Sequence, residues 1–277
     1  MMLSETMRTA NETTWEQVDA LNAGRAFLDR SADRAFIVRG ADARRWLGDL
    51  VTADVATLRP GVARRSLLLT ATGRIQADLW IAAQDADAFL VVQPADQPVP
   101  FGDMLRPYVL SSDVRLDDVT GSLAVLFVHG PDELVTGSLR DRPALADSVA
   151  SRGYREVTDA AWEIWRIGGG DPRMGADFGS GDLPAEAGLE RLIDLTKGCF
   201  LGQESVAKVR NLGHPPTVLR HLRAGSGSAA GTPVVNDAGA EVGRVTSVAP
   251  HREGGAVLIA RVSWAASEAV LTAPGGS

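Results

Sequence analysis

The sequence predicts an α+β protein that ends in a small all-β domain, and three observations carry this. Strand and helix patterns alternate irregularly from Ala35 onward, without the regular strand–helix–strand units of a doubly wound sheet. A similar order of elements recurs after Ser122. Beyond Gly231 only short strand patterns separated by turn residues remain.

The residues "AFIVRG" from Ala35 read as a strand. "ADARRWLGDLV" follows as a helix, because Trp46, Leu47, Leu50 and Val51 fall on one face. After the turn "LRPG", the run "ARRSLLLTATGRIQADLWIAA" gives two strands joined at Ala71 to Arg74. Ile75, Ala77, Leu79 and Ile81 alternate with Gln76, Asp78 and Trp80, so one face of the second strand is buried. "AFLVVQ" completes an antiparallel meander, and "FGDMLRPYVL" resumes a helical pattern. The second round is a strand "SLAVLFVHG", a helix around Glu133 to Leu139, and strands near Tyr154 to Val157 and Trp162 to Ile167. "ESVAKVRNL" reads as a helix, and "RAGSGSAAG" is a flexible connection to the strands "TPVVN", "EVGRVTSVA" and "AVLIARVSW". "EAVLTAPGGS" is expected to fray.

These patterns imply a flexible tail over residues 1–24, an α+β region over 25–212, and a β-domain over 213–277. The α+β region is expected to hold two related modules, about 25–118 and 119–212. The 277 residues contain 45% apolar and 23% charged residues, ordinary globular values, with no apolar run long enough for a membrane span. The first 24 residues lack the apolar core of a secretory signal, and a single cysteine precludes an internal disulfide, so a cytoplasmic protein is expected. The net charge of −7 argues against direct nucleic-acid binding. Between Glu204 and Asp237 there is no acid, while Lys208, Arg210, Arg220 and Arg223 are basic. That stretch is either a solvated face or a receiver of an anion.

Few motifs carry chemistry. "GGGDPRMG" from Gly168 fails the dinucleotide fingerprint, since Arg173 falls where the third glycine belongs. The histidines at 129, 214, 221 and 251 have no metal-ligand spacing, so no metal site is expected. The segment "LTKGCFLGQESVAKVRNLGHPP" is sharper. Lys197 stands two residues before Cys199, and an ammonium near a thiol favours the nucleophilic thiolate. Gly198 and Gly202 flank it in a pattern suited to a tight turn or a close backbone approach. Gln203 and Glu204 follow, placed to cap the next helix or to meet a ligand. A buried structural cysteine is the competing reading.

"KGCFLGQE" resembles the signature of the YgfZ family, folate-binding relatives of the glycine-cleavage T-protein that support iron–sulfur enzymes. Phe200 stands where that signature has tyrosine. "FIVRGADARRWLGDLVTADV", "WRIGGGDPRMGADF" with "LPAEAGL", and "GTPVVNDAGAEVGRVTSV" are similar to its successive modules. The resemblance implies a T-protein-like ring: two mixed antiparallel α/β modules and a C-terminal β-barrel, around tetrahydrofolate or a one-carbon derivative bound non-covalently. It implies that Glu186 meets the pterin, a pairing in which a carboxylate accepts two parallel N–H bonds. Arg166, Gly198, Gln203 and Glu204 are the further expected folate contacts, with Cys199 and Lys197 as the reactive pair.

Three functions stay open. The resemblance favours a monomeric folate-binding factor for assembly or maintenance of iron–sulfur clusters in client enzymes, with Cys199 as its thiol. Aminomethyl transfer of T-protein type is the second, but the T-protein carries an aspartate seven residues after a strand-end asparagine. Here those positions hold Gln93 and Pro100, with Asp96 and Asp103 nearby. The third is a non-catalytic folate-binding protein that supports tRNA-modifying enzymes.

Overall fold

A computed structural model describes residues 11–109, 112–267 and 271–273. Its described residues form two compact units that interleave in sequence. The first takes 23–156 and 191–206, and the second takes 11–22, 157–190 and 207–273. This division does not follow the expected cuts near residues 118 and 212. Residues on both sides of 118 share one sheet, and backbone pairing across a cut holds the two sides together. The expected flexible tail is also corrected from residue 12 onward: helix α1 (Glu12–Asn22) buries Val18 and Leu21 within the second unit. Its Gln17 Oε1 accepts the Thr158 backbone N–H at 2.7 Å and the Thr158 hydroxyl at 3.0 Å. Residues 1–10 lie outside the described residues.

The first unit holds β1 (Ala26–Asp29), β2 (Arg34–Arg39), α2 (Ala43–Leu50), β3 (Ala63–Leu69), β4 (Ile75–Ala83), β5 (Ala88–Gln93), α3 (Phe101–Leu105) and β6 (Arg115–Asp118). β7 (Leu123–His129), β8 (Glu133–Ser138), α4 (Arg142–Ser151) and β9 (Arg155–Glu156) follow. One antiparallel sheet runs β3-β4-β5-β2-β6, and a mixed sheet runs β8-β7-β1-β9, with β9 parallel to β1. The expected meander is present. Helix α2 buries Ala43, Trp46, Leu47 and Leu50, spaced three and four apart, in a core shared with Leu79, Ile81, Phe89 and Val91 of the first sheet. Asp78 departs from the alternation. It is buried inside β4 because Arg65 grips its carboxylate with two bonds, at 2.9 and 2.7 Å. The helix expected around Glu133 to Leu139 is instead β8, with Leu134 opposite Phe127 and Val135 opposite Leu126. Val135, Thr136 and Gly137 are poor helix formers, so strand pairing decides this segment.

In the second unit, α5 (Asp159–Gly168) replaces the strand expected at Trp162 to Ile167. The Thr158 hydroxyl caps it by accepting the Ala161 N–H at 3.3 Å, and Ala161, Ile164 and Ile167 form its buried stripe. Helix α6 (Gln203–Leu212), expected from the sequence, crosses the boundary between the units. β10 (Thr217–Ala224), β11 (Pro233–Asn236), β12 (Glu241–Pro250), β13 (Ala256–Ser263) and β14 (Leu271–Thr272) form one sheet in the order β10-β13-β12-β11-β14. Its end strands β10 and β14 also touch, so the sheet curls around Val234, Val245, Leu258, Ala260 and Val262. The fraying expected from Glu268 onward is corrected at Leu271 and Thr272, which pair with Asn236 and Val235. Residues 268–270 and 274–277 lie outside the described residues. Among the described residues, no helix is long and apolar enough to cross a membrane.

Candidate functional site

The cysteine loop belongs to the first unit, where helix α2 ends against it. Carbonyls in the last turn of a helix lack intrahelical partners, and the Lys197 ammonium donates to that of Gly48. The same nitrogen lies 5.2 Å from the centre of the Phe200 ring. Burial pushes the Lys197 ammonium below its ordinary value, opposed by the negative charges of Asp54, Asp49 and Asp194. The residue spacing puts Lys197 beside the thiol, and the structure also engages its ammonium with a helix end and an aromatic ring.

The rest of the loop is held by backbone. Leu201 N–H donates to the Asp49 carbonyl at 2.9 Å, and Asp194 N–H to the Thr52 carbonyl at 3.0 Å. Phe200 is buried and Leu201 packs on the core of the first unit. Gly202 has φ +85°, and a Cβ there would lie 2.5 Å from the Thr70 carbonyl oxygen and 3.1 Å from Gly73 Cα. The loop thus touches the β3–β4 turn backbone to backbone, the close approach that its glycine suggests. Ser205, in the first turn of α6, donates to the Ala71 carbonyl at 3.2 Å and strengthens the contact. Gly198, with φ +109°, has open space around it. Cys199 is exposed between these anchored neighbours, which removes the buried structural reading. Gln203 opens α6 and exposed Glu204 lies in its first turn, where a carboxylate favours the helix dipole.

Glu186 lies in the second unit and is only 6% exposed. Its Oε2 accepts the Leu183 N–H at 3.0 Å, and its Oε1 accepts the Thr217 hydroxyl at 2.9 Å. Arg261 Nη1 stands 3.9 Å from Oε1, while both Arg261 Nη atoms grip Asp182, at 3.2 and 2.5 Å. An ionised carboxylate offers about four lone-pair positions. Two of them therefore stay available for an N–H edge, so Glu186 meets the inventory that a pterin needs. An open groove of about 440 Å³ runs past Thr217, Gly243, Arg244, Thr246 and Arg261, bordering two of the residues around Glu186.

Arg166 has a different part. It is 2% exposed, and every arm of its guanidinium is engaged: Nε and Nη2 with Glu163 at 2.7 and 2.5 Å, Nη1 with Asp177 at 2.8 Å and the Asp171 carbonyl at 3.2 Å, and Nη2 also with Ser247 at 3.2 Å. Its N–H groups point into a buried network that ties α5 to β12. Thr217, Asp182 and Arg261 are the neighbours of Glu186 that sequence reasoning missed. Thr217 and Arg261 come from segments far from Glu186 in sequence, and no local spacing marks them.

The strand end with the T-protein register lies in the first unit. Gln93 Nε2 donates to the Val99 carbonyl at 2.8 Å, and its Oε1 accepts the Phe101 N–H at 2.8 Å, closing the 94–100 loop. Pro100 precedes α3 with no ionisable group. Asp96 is exposed, and Asp103 is exposed with Arg106 3.8 Å away. Among the described residues, no group of three or more His, Cys, Asp or Glu side chains could hold a metal ion.

Comparison with known proteins decides the fold. The crystal structure of the glycine cleavage system aminomethyltransferase T from Bartonella henselae superposes with a TM-score of 0.70, over 90% of this chain and 81% of that one, at 19% identity. This chain has a GcvT-like fold. Residues 5–135 match the model of the GCVT N-terminal domain. A chloroplastic putative transferase of Arabidopsis thaliana is 24% identical over 285 aligned positions, covering 86% of this chain and 65% of that protein. A mitochondrial homologue of the iron–sulfur cluster assembly factor IBA57 from Cryptococcus neoformans is 25% identical over 226 positions, covering 63% of this chain and 60% of that protein. The chain thus spans less than two thirds of the length of the Arabidopsis and Cryptococcus proteins. Its GCVT N-terminal match ends well before Glu186 and Cys199, so their roles rest on the geometry above.

Proposed function

We propose that this GcvT-like protein is a folate-binding factor of YgfZ type that supports assembly or maintenance of iron–sulfur clusters in client enzymes, with Cys199 as its working thiol. One observation carries the reading: Cys199 is exposed at the tip of a loop whose flanks are locked to a helix end and a β-turn. A fixed, accessible thiol suits transient contact with a client's iron or sulfur, since the protein itself needs no motion to present it. The similarity to the IBA57 homologue supports the same direction.

Glu186 is the residue that would hold the folate, through the lone pairs left free by Leu183 and Thr217. A bound one-carbon derivative would supply a one-carbon unit, and tetrahydrofolate itself would accept one, while the chain orients it. Cys199→Ser should depress the activity of an iron–sulfur client in cells while the purified protein keeps its melting temperature and its folate affinity. Unchanged client activity would sink the proposal. Titration with tetrahydrofolate followed by tryptophan fluorescence should weaken at least roughly tenfold in Glu186→Gln, the loss expected for one charge-assisted pair. Equal affinity would place the pterin elsewhere.

Aminomethyl transfer is the alternative that the superposed structure's own name supports. Against it stands the closed 94–100 loop, which carries no acid at Pro100 to exchange a proton. Formation of methylene-tetrahydrofolate from an aminomethylated lipoyl donor would establish that activity, and its absence would remove it.

A further inference from the structure

Strand β10 has two chemically different faces. Thr217 lies on one, bonded to Glu186, and His221 on the same face stands against Gly170, where an added Cβ would come 3.4 Å from both Cβ and Cγ of His221. Val218, Leu222 and Ala224 lie on the other, packed on the core of the curled sheet. A strand's period of two puts Arg220 with this apolar set. The register agrees, since Arg220 faces Ala260, which is fully buried and in turn faces Val245. A half-buried arginine therefore stands in a row of partly buried apolar residues that pack on the core.

Its Nη1 is buried and meets no hydrogen-bond partner among the described residues. Buried donors are nearly always satisfied, and a charged one left unmade is unfavourable. The chain supplies no acid nearby in sequence, because Glu204 and Asp237 are the flanking carboxylates. Glu241 pairs with Arg244, and Glu253 lies against Arg223. The neighbour opposite is Ala260, whose methyl group offers the guanidinium no acceptor.

We propose that Arg220 anchors an oxyanion site on the inner face of the β10–β14 sheet, taking a small ligand through a carboxylate or phosphate group. Either group presents acceptor oxygens that match the guanidinium fork, and either would satisfy the buried nitrogen. The site is independent of any folate bound at Glu186, because Thr217 and Arg220 project from opposite faces of the same strand. A failure of one reading leaves the other standing.

The full-length protein is followed by thermal unfolding during titration with inorganic phosphate or glutarate, with chloride adjusted to hold ionic strength constant. A saturable rise in melting temperature is expected with at least one of the two, and the responding anion identifies the ligand group. Arg220→Met keeps most of the stem volume. It should melt at the same or a higher temperature without anion, with the apparent anion affinity weakened roughly ten- to hundredfold. An equal rise in Arg220→Met overturns the proposal. So does the absence of a saturable rise with either anion in the wild type, the outcome expected if Nη1 holds only a water. Should Arg220→Met fail to fold, hydrogen exchange on the wild type decides: the responding anion must slow exchange in β10 and β13, and unchanged exchange overturns the site.

Discussion

Gly202 meets Thr70 so closely that a Cβ at Gly202 would sit 2.5 Å from the Thr70 carbonyl oxygen. The approach seats the cysteine loop on the β3–β4 turn, and it combines with a φ of +85° that a side chain disfavours. Gly202→Ala should therefore cost about 1–3 kcal/mol and loosen the loop. Urea unfolding measures the first effect. Hydrogen exchange at residues 198–204 measures the second, and unchanged protection there would show that the glycine is not what holds the loop.

Arg166 and Asp177 form a buried pair at 2.8 Å, with Asp177 also accepting the Thr246 hydroxyl at 2.6 Å. Arg166→Met would strand the carboxylate of Asp177 away from water, while Glu163 keeps its pair with Arg173. A loss of about 3–5 kcal/mol is expected, the range for breaking one side of a buried pair. Chemical denaturation tests it, and a loss under 1 kcal/mol would mean the network is far wetter than its geometry suggests.

Glu186 closes its own turn through the Leu183 N–H. Glu186→Ala leaves that N–H and the Thr217 hydroxyl without their acceptor, so about 1–3 kcal/mol should be lost. Glu186→Gln retains an oxygen acceptor and should lose less. A reversed order of the two variants, read from melting temperatures, would contradict these contacts.

Asp132 sits at φ +51° in the β7–β8 turn, and burial raises its carboxyl above the usual range against the opposing pull of His129. A raised folded value penalises the folded state once the carboxyl ionises. Wild-type stability should fall as pH rises from the unfolded value, about 3.9, through the folded one. Asn tolerates the left-handed conformation and carries no charge. Asp132→Asn should be more stable than wild type at pH 7, with the gain shrinking as pH falls through the raised value. Parallel urea titrations at pH 4 and pH 7 read the difference, and a gain equal at both would reject burial of charge as its cause.

Much of the fold was legible because it is written in short-range patterns. The alternation of Ile75 to Ile81, the face of Trp46, Leu47 and Leu50, and the run of strands after Gly231 each appear in the structure as expected. Two segments were not legible for one reason: Glu133 to Ser138 and Trp162 to Ile167 are short apolar runs whose period does not separate strand from helix. Pairing with β7 settles the first, and a Thr158 cap with a buried stripe settles the second. Of the candidate site, the glycine-flanked turn and the helix after it were readable, while the exposure of Cys199 was not. The neighbours of Glu186 were not, since three separate segments supply them.

By itself, the sequence determined which residue types sit within a few positions of each other: the Lys197 to Glu204 motif, the glycines that permit its turns, and the lack of an acid at Pro100. Only the tertiary structure decided what those groups touch. Lys197 answers the Gly48 carbonyl because α2 happens to end there, Arg166 turns inward because Asp177 and Ser247 arrive from elsewhere in the chain, and Arg220 faces a core because strand register leaves it no other side. Charged side chains take the partners that folding brings within about 4 Å, and sequence spacing measures the chain between two groups rather than the space between them.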